Sequence, residues 1–248
     1  MTTSTSAPPA PPALPARAPR RRRSAGRRAG WTAVLLTSLA IVAYSGVPYL
    51  MGALEDLDQD RAPLASAYAA MPPVVQVALV LHVAGAAVAL LVGPFQFWAA
   101  LRRRFPQAHR WAGRAYLLGV TVGGAASLVM APWNTAGMVG FLGFGSLGVL
   151  WLWTGWRAYR AVRGGDVRSH QAWMIRNFAL TYGAVMLRTW VPLLLTAQAF
   201  AAGDAFDLDA AFDNAYDAVT FLAWVPNLLV AEWLVRRRGL PSYRLVDR

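Results

Sequence analysis

Two reactive residue types are missing from this 248-residue chain. It contains no cysteine, which excludes disulfide bonds, thiolate nucleophiles, Cys-ligated zinc and iron–sulfur clusters. It also contains no lysine, so all 24 basic residues are arginine. A lysine Schiff base and a phosphate-binding Walker lysine are therefore excluded as well. No HExxH, GxSxG or P-loop sequence occurs, and the sequence predicts no metal site.

Charged residues are also scarce, at 15% of the chain, whereas 56% of the residues are hydrophobic. Basic residues outnumber acidic ones by 24 to 12. In a soluble protein this excess would suggest nucleic acid binding, but together with long apolar runs it indicates a lipid bilayer. We therefore expect a membrane protein that does not bind nucleic acid.

Six apolar segments are long enough to cross a hydrocarbon core of about 20 helical residues. The fold class that we predict is an all-α membrane bundle of six transmembrane helices within residues 31–235. Residues 1–30, rich in Pro and Arg, are predicted to be a disordered cytoplasmic tail, and residues 236–248 a basic cytoplasmic tail. Gly93-Pro94 and Pro192 are expected to kink or end their helices. The six predicted spans are 31–51, 73–101, 111–132, 137–156, 172–200 and 215–235.

The distribution of charge between these segments predicts their orientation. Net charges are +7 for residues 1–30, +5 for 102–114, +3 for 157–171 and +4 for 236–248. The alternate loops are acidic, at −3 for residues 52–72 and −4 for 201–213. Because positively charged loops stay in the cytoplasm, both termini are predicted to be cytoplasmic. We expect the arginine-rich face to bind anionic lipid head groups.

Polar residues inside the spans mark candidate binding positions, because hydrocarbon penalises them. At 100° per residue, His170, Asn177, Thr181 and Arg188 fall on one line of the fifth span. This line indicates either a buried ligand or ion pathway, or polar contacts that hold neighbouring helices together. His82 and Gln96 share a face of the second span.

The histidines differ in predicted depth. His82 lies deep in its span on the outer side, at a level comparable with Arg188, and the two residues are candidates to line an outward pocket for an anionic or quinone-like head group. A single structural hydrogen bond is the alternative role for His82. His109 and His170 both begin helices on the cytoplasmic side. They are therefore the only candidate pair of ligands for a b-type haem, unless they simply cap or anchor their helices.

Two sequence boxes surround these cytoplasmic histidines. The first box contains His109, Arg110, Gly113, Arg114 and Tyr116, and the second contains His170, Trp173 and Arg176. With these HRxxGRxY and HxxWMxR patterns, residues 80–195 resemble a bacterial family of predicted membrane proteins, domain of unknown function 2306. The resemblance implies a multi-pass bacterial membrane protein without an established activity.

These observations predict a binding or transport-like module with a small polar site inside the bundle. His82, Gln96, Asn177, Thr181 and Arg188 are its predicted ligand-binding residues. The alternative is a single-haem membrane electron carrier that uses His109 and His170. The residues do not identify a catalytic group, a substrate or a cofactor.

Overall fold

The computed structural model describes residues 20–46, 49 and 65–242, and within these ranges the chain is helical with no β-strand. Helix α1 continues into a π-helical turn, Val42–Gly46, and short 3₁₀ turns follow α5 and α8. The α-helices are α1 Arg20–Ile41, α2 Ala65–Ala69, α3 Pro73–Gln96, α4 Ala99–Arg104, α5 Pro106–Met130, α6 Gly137–Arg163, α7 Val167–Thr181, α8 Gly183–Ala202, α9 Leu208–Leu222 and α10 Val225–Arg237.

Five helical segments are long and apolar enough to cross a membrane, and they coincide with the second to sixth predicted spans. The predicted first span, 31–51, overlaps a shorter apolar helical stretch, Arg28–Tyr44. The candidate spans are Pro73–Gln96, Pro106–Trp133, Gly137–Arg163, Val167–Ala205 and Leu208–Arg237.

Helix α1 begins inside the segment predicted to be a disordered tail. Its first residue is Arg20 rather than Trp31. The sequence between them consists mainly of Arg and Ala, which are strong helix formers and extend the helix. Residues 1–19, most of the acidic loop with Asp58, and residues 243–248 lie outside the described residues.

Helices α3 and α5 pack with their backbones in direct contact. A Cβ atom added to Gly85 would lie 2.6 Å from the carbonyl oxygen of Gly119, and one added to Gly119 would lie 2.6 Å from that of Gly85. Any side chain at either position would therefore force the helices apart. In a bilayer such close approach replaces the hydrophobic effect as a source of helix association.

The two prolines expected to disturb their helices both lie within helical segments. Helix α3 ends at Gln96, shortly after Pro94. Helix α8 continues past Pro192 to Ala202. The carbonyl oxygen of Pro94 accepts a hydrogen bond of 2.8 Å from Nε1 of Trp31, which anchors α1 against α3.

The last two spans are each interrupted, and the interruptions face each other. One span breaks at Tyr182 between α7 and α8, and the other breaks at Ala223 and Trp224 between α9 and α10. Gly183 packs against Ala223, whose carbonyl oxygen would be 3.4 Å from a Cβ atom at Gly183. The main core cluster joins the α3–α5 pair to these interrupted spans through residues that include Tyr116, Val120, Trp151, Trp173, Leu180 and Trp224.

Candidate functional site

A cavity of about 230 Å³ lies among the spans, in the half of the bundle away from the arginine-rich connections. The polar residues on helices that line the cavity each come from a different helix. Tyr49, after the π-helical turn, also lines it. The polar wall residues on helices are Tyr68 of α2, His82 of α3, Ser127 of α5, Trp151 of α6, Thr181 of α7, Arg188 of α8 and Tyr216 of α9.

The His82 ring has a fixed orientation in this cavity. Its Nδ1 lies 2.9 Å from the carbonyl oxygen of Gly123, and its ring packs edge-on against Trp151 with the centroids 6.3 Å apart. A carbonyl oxygen only accepts hydrogen bonds, so this contact assigns the proton to Nδ1. The other ring nitrogen, Nε2, is left for a partner in the cavity.

Arg188 and three tyrosines bring hydrogen-bond donors to the same cavity. Nη1 of Arg188 donates to the carbonyl oxygen of Ala184 at 3.1 Å, one turn earlier on α8. Burial raises the pKa of Tyr68, and the neighbouring Tyr49 adds to this shift. The Tyr68 hydroxyl therefore keeps its proton at neutral pH and remains a donor.

The floor of the cavity is a buried hydrogen-bonded network that joins α5, α6 and α7. The Tyr116 hydroxyl donates to Oδ1 of Asn177 at 2.6 Å and lies 2.8 Å from Oγ1 of Thr181. Nε1 of Trp151 donates to the same threonine oxygen at 2.9 Å. Nδ2 of Asn177 donates to the Trp151 carbonyl oxygen at 2.7 Å and to Oγ1 of Thr154 at 2.8 Å.

This network divides the predicted ligand-binding residues into groups. His82, Thr181 and Arg188 line the cavity. Asn177 is completely buried below the cavity. Both polar atoms of its side-chain amide are hydrogen-bonded within the protein, as buried polar groups generally are. Asn177 therefore helps to form the floor of the cavity. Ligand binding by His82, Thr181 and Arg188 stays a prediction.

Gln96 lies outside the cavity, toward the arginine-rich end of the bundle. It is buried, and its Nε2 has no hydrogen-bond partner within the described ranges. Gly113 of the first box packs against it, because a Cβ atom there would come within 3.3 Å of Oε1 of Gln96. Arg102 donates to the Gln96 carbonyl oxygen at 3.0 Å. The structure therefore separates Gln96 from the His82 site.

The two box histidines lie close enough for their charges to interact. Nδ1 of His170 is 2.9 Å from the carbonyl oxygen of Ala158 on α6. Nδ1 of His109 is buried and has no hydrogen-bond partner in the part of the chain that the structure describes. In that same part, no group of three or more His, Asp or Glu side chains is arranged to hold a metal ion.

The arginines of the boxes differ in their contacts. Arg176 is only 4% exposed and forms a two-pronged ion pair with Glu232 of α10, in which Nη2 lies 3.0 Å from Oε2. Arg110 is exposed on the first turns of α5. Arginine side chains also stack on indole rings throughout this end of the bundle: Arg114 on Trp111, Arg157 on Trp153 and Trp173, Arg160 on Trp156, Arg176 on Trp173, and Arg237 on Trp233.

Several residues of the site were missed from the sequence. Trp151 and Thr154 complete the floor network, but nothing distinguishes them from the other aromatic and small residues of their span. Asn227 was missed as well. Its Nδ2 donates to the Ala179 carbonyl oxygen at 3.1 Å and to that of Ala223 at 3.0 Å, so it joins the two interruptions. The proline that follows Val225 was the available signal for the second interruption.

Residues 79–235 match the protein family described as "Predicted membrane protein (DUF2306)". The chain belongs to this family. The match covers more than half of the 248 residues and extends from α3 to α10, so every helix of the floor network lies within it. No curated protein and no solved structure matches the chain.

Proposed function

We propose that this DUF2306 protein is a binding or transport-like module that holds a small ligand with a polar head group in the His82–Arg188 cavity. The observation that carries the proposal is the convergence of imidazole, guanidinium and phenol groups on one cavity in an otherwise apolar bundle. Ionisable groups at membrane depth are costly, and they concentrate at ligand and ion sites.

The interrupted spans support the transport-like part of the proposal. Gly183 and Ala223, at the two interruptions, both line the cavity. Membrane transporters commonly place their binding sites where discontinuous helices meet, because irregular backbone is tolerated only where protein or water surrounds it. The closed floor of Tyr116, Asn177 and Thr181 separates the cavity from the arginine-rich end.

The proposed topology has six spans, with α1 as the first, and both termini in the cytoplasm of a bacterial cell. The arginine-rich connections support this orientation under the positive-inside rule. The cavity then opens toward the outer side.

Single-cysteine labelling tests the topology and the cavity together, because the chain has no native cysteine. We expect Ser127→Cys and Ala184→Cys, both in the cavity wall, to react with a membrane-impermeant maleimide in right-side-out spheroplasts. Ala202→Cys, exposed at the end of α8, should react in the same preparation. Gly164→Cys, exposed between α6 and α7, should react only in inside-out vesicles.

Ala158→Cys is the control for burial, since Ala158 is 0% exposed and should stay unlabelled on both sides. Reaction of Ala202→Cys only from the cytoplasmic side would overturn the orientation. Failure of both cavity variants to react, while Ala202→Cys reacts, would overturn a water-accessible outer cavity.

The second candidate function is a single-haem electron carrier, supported by one observation at the box histidines. Nδ1 of His170 faces a carbonyl oxygen, the second-shell arrangement that leaves Nε2 for a metal, and the nearby His109 has a buried nitrogen without a partner among the described residues. Haem-replete expression should then give a Soret band that His109→Ala and His170→Ala remove. A colourless, folded protein would exclude this function.

We also propose that anionic lipid head groups bind at the arginine-rich end. Trp111, Trp156 and Trp233 are each at least half exposed, and each lies under a stacked guanidinium group. Tryptophan belongs at the membrane interface, and arginine binds phosphate with its planar fork. Stacking holds the fork at the level of the head groups.

A further inference from the structure

The protonation of His82 restricts the chemistry of the ligand. Because Nδ1 donates to Gly123, the neutral ring presents the lone pair of Nε2 to the cavity. A second positive charge is unfavourable here, since the surroundings are apolar and the Arg188 guanidinium lines the same cavity. His82 therefore accepts a hydrogen bond, and its ligand partner must carry an O–H or N–H group.

Other residues of the cavity supply hydrogen-bond donors, whereas His82 supplies an acceptor. Arg188 and Tyr68 bring N–H and O–H donors to the wall, and these suit an oxygen acceptor on the ligand. Trp151 and Phe144 add aromatic surface. A cavity of roughly 150 Å³ accommodates benzene, so the present volume of about 230 Å³ has room for a substituted ring.

From these contacts we infer that the ligand is a quinol head group, bound in its reduced form in preference to the oxidised quinone. This inference rests on the proposed function of the cavity. One quinol hydroxyl donates to Nε2 of His82, and the oxygen of the other accepts from Arg188 or Tyr68. A quinone places a carbonyl lone pair against the Nε2 lone pair, so it loses one hydrogen bond and gains a repulsive contact. A carboxylate such as benzoate has the same defect at His82.

Binding of decylubiquinol and decylubiquinone to the full-length protein in lipid nanodiscs, measured anaerobically by titration calorimetry, tests the inference. We expect the quinol to bind about tenfold more tightly or better, the effect of one lost hydrogen bond. The di-O-methyl ether of decylubiquinol, which lacks hydroxyl protons, should bind as weakly as the quinone. This comparison uses the native chain and does not depend on a variant that folds.

Single-residue variants then show which side chains cause the preference for the quinol. His82→Phe should abolish the preference for the quinol, Arg188→Gln should weaken both forms, and Tyr159→Phe, at an exposed position of α6, should change neither. Equal affinities for quinol and quinone, tighter binding of the quinone, or a preference that persists in His82→Phe would overturn the inference.

Two further probes separate this inference from the proposed function. If benzoate or inorganic phosphate binds and Arg188→Gln weakens that binding, while neither decylubiquinol nor decylubiquinone binds, the cavity is a ligand site but not a quinol site. If no probe binds and the cavity cysteines stay unlabelled, the proposed function itself is wrong.

Discussion

The Tyr116 hydroxyl donates to Oδ1 of Asn177 across 2.6 Å, and this bond joins the helix of the first histidine box to the helix of the second. Tyr116 is the last residue of the first box, and Asn177 directly follows Arg176, the last residue of the second. The boxes are thus connected inside the bundle, below the cavity.

Tyr116→Phe should destabilise the protein by about 1–2 kcal/mol, because it leaves Asn177 and Thr181 short of a buried partner. Denaturation of the detergent-solubilised protein, followed by circular dichroism, measures the change. Tyr159→Phe is the matched control, since Tyr159 is 50% exposed, and should have no effect. Equal stability of the two variants would contradict a structural role for the network.

Gly85→Ala should destabilise the bundle by about 1–3 kcal/mol, the usual effect of overpacking, because the new methyl group meets the backbone of Gly119. Gly145→Ala is the matched control on α6. Its Cβ would have its nearest neighbour at 3.8 Å, an ordinary contact. Thermal melting of both variants checks the difference, and a Gly85→Ala protein as stable as the control would argue against the close helix contact.

Asn227→Leu should lower stability by about 1–3 kcal/mol, since the carbonyl oxygens of Ala179 and Ala223 lose a donor where their helices are interrupted. Asn214→Leu, at an exposed position of α9, provides the comparison. Hydrogen exchange should also show faster exchange of amides near Tyr182 in the Asn227 variant alone. Unchanged amide exchange near Tyr182 would mean that Asn227 does not stabilise the backbone at the interruption.

Glu232→Gln should cost about 2 kcal/mol, because it leaves Arg176 buried without its carboxylate. This is less than the roughly 3–5 kcal/mol of a fully buried pair, since Glu232 is 34% exposed. A double-mutant cycle with Arg176→Gln, measured by chemical denaturation, isolates the pair. Additive losses would show that the two residues contribute independently.

Arg114→Gln should reduce retention of anionic lipid more than Arg103→Gln does. The Arg114 guanidinium is held 4.7 Å above the Trp111 ring, whereas Arg103 belongs to the exposed basic run of α4. Native mass spectrometry of protein purified with phosphatidylglycerol counts the lipids that remain bound. Equal losses from both variants would leave only a general charge effect.

Hydropathy located the five helical segments that are long and apolar enough to cross a membrane, because length and apolar content are properties of the sequence alone. The interruption at Tyr182 was not predictable, because no proline lies next to it. The proline of that span is Pro192, which lies inside α8 without ending it. The helical line through His170, Asn177, Thr181 and Arg188 assumed one continuous helix. Thr181 and Arg188 nevertheless reach one cavity, although the line crosses the break.

The hydrogen-bond partners of these polar residues could not be predicted from the sequence, for a geometric reason. Periodicity gives the face of a helix on which a residue lies, but the rotation of each helix against its neighbours decides which faces meet. The sequence therefore grouped His82 with Arg188 by depth, yet it assigned Tyr116 to a cytoplasmic box and gave it no contact with Asn177.

The glycine contact between α3 and α5 has a consequence for any movement of the protein. Backbone packs against backbone at Gly85 and Gly119, so no side chain separates the two helices at this level and neither can shift past the other without a backbone clash. Any change in the width of the cavity would then have to come from the two interrupted spans on its other side. His82 lies on the tightly packed α3 and Arg188 on α8, so the distance between the imidazole and guanidinium groups is the quantity that would report such a change.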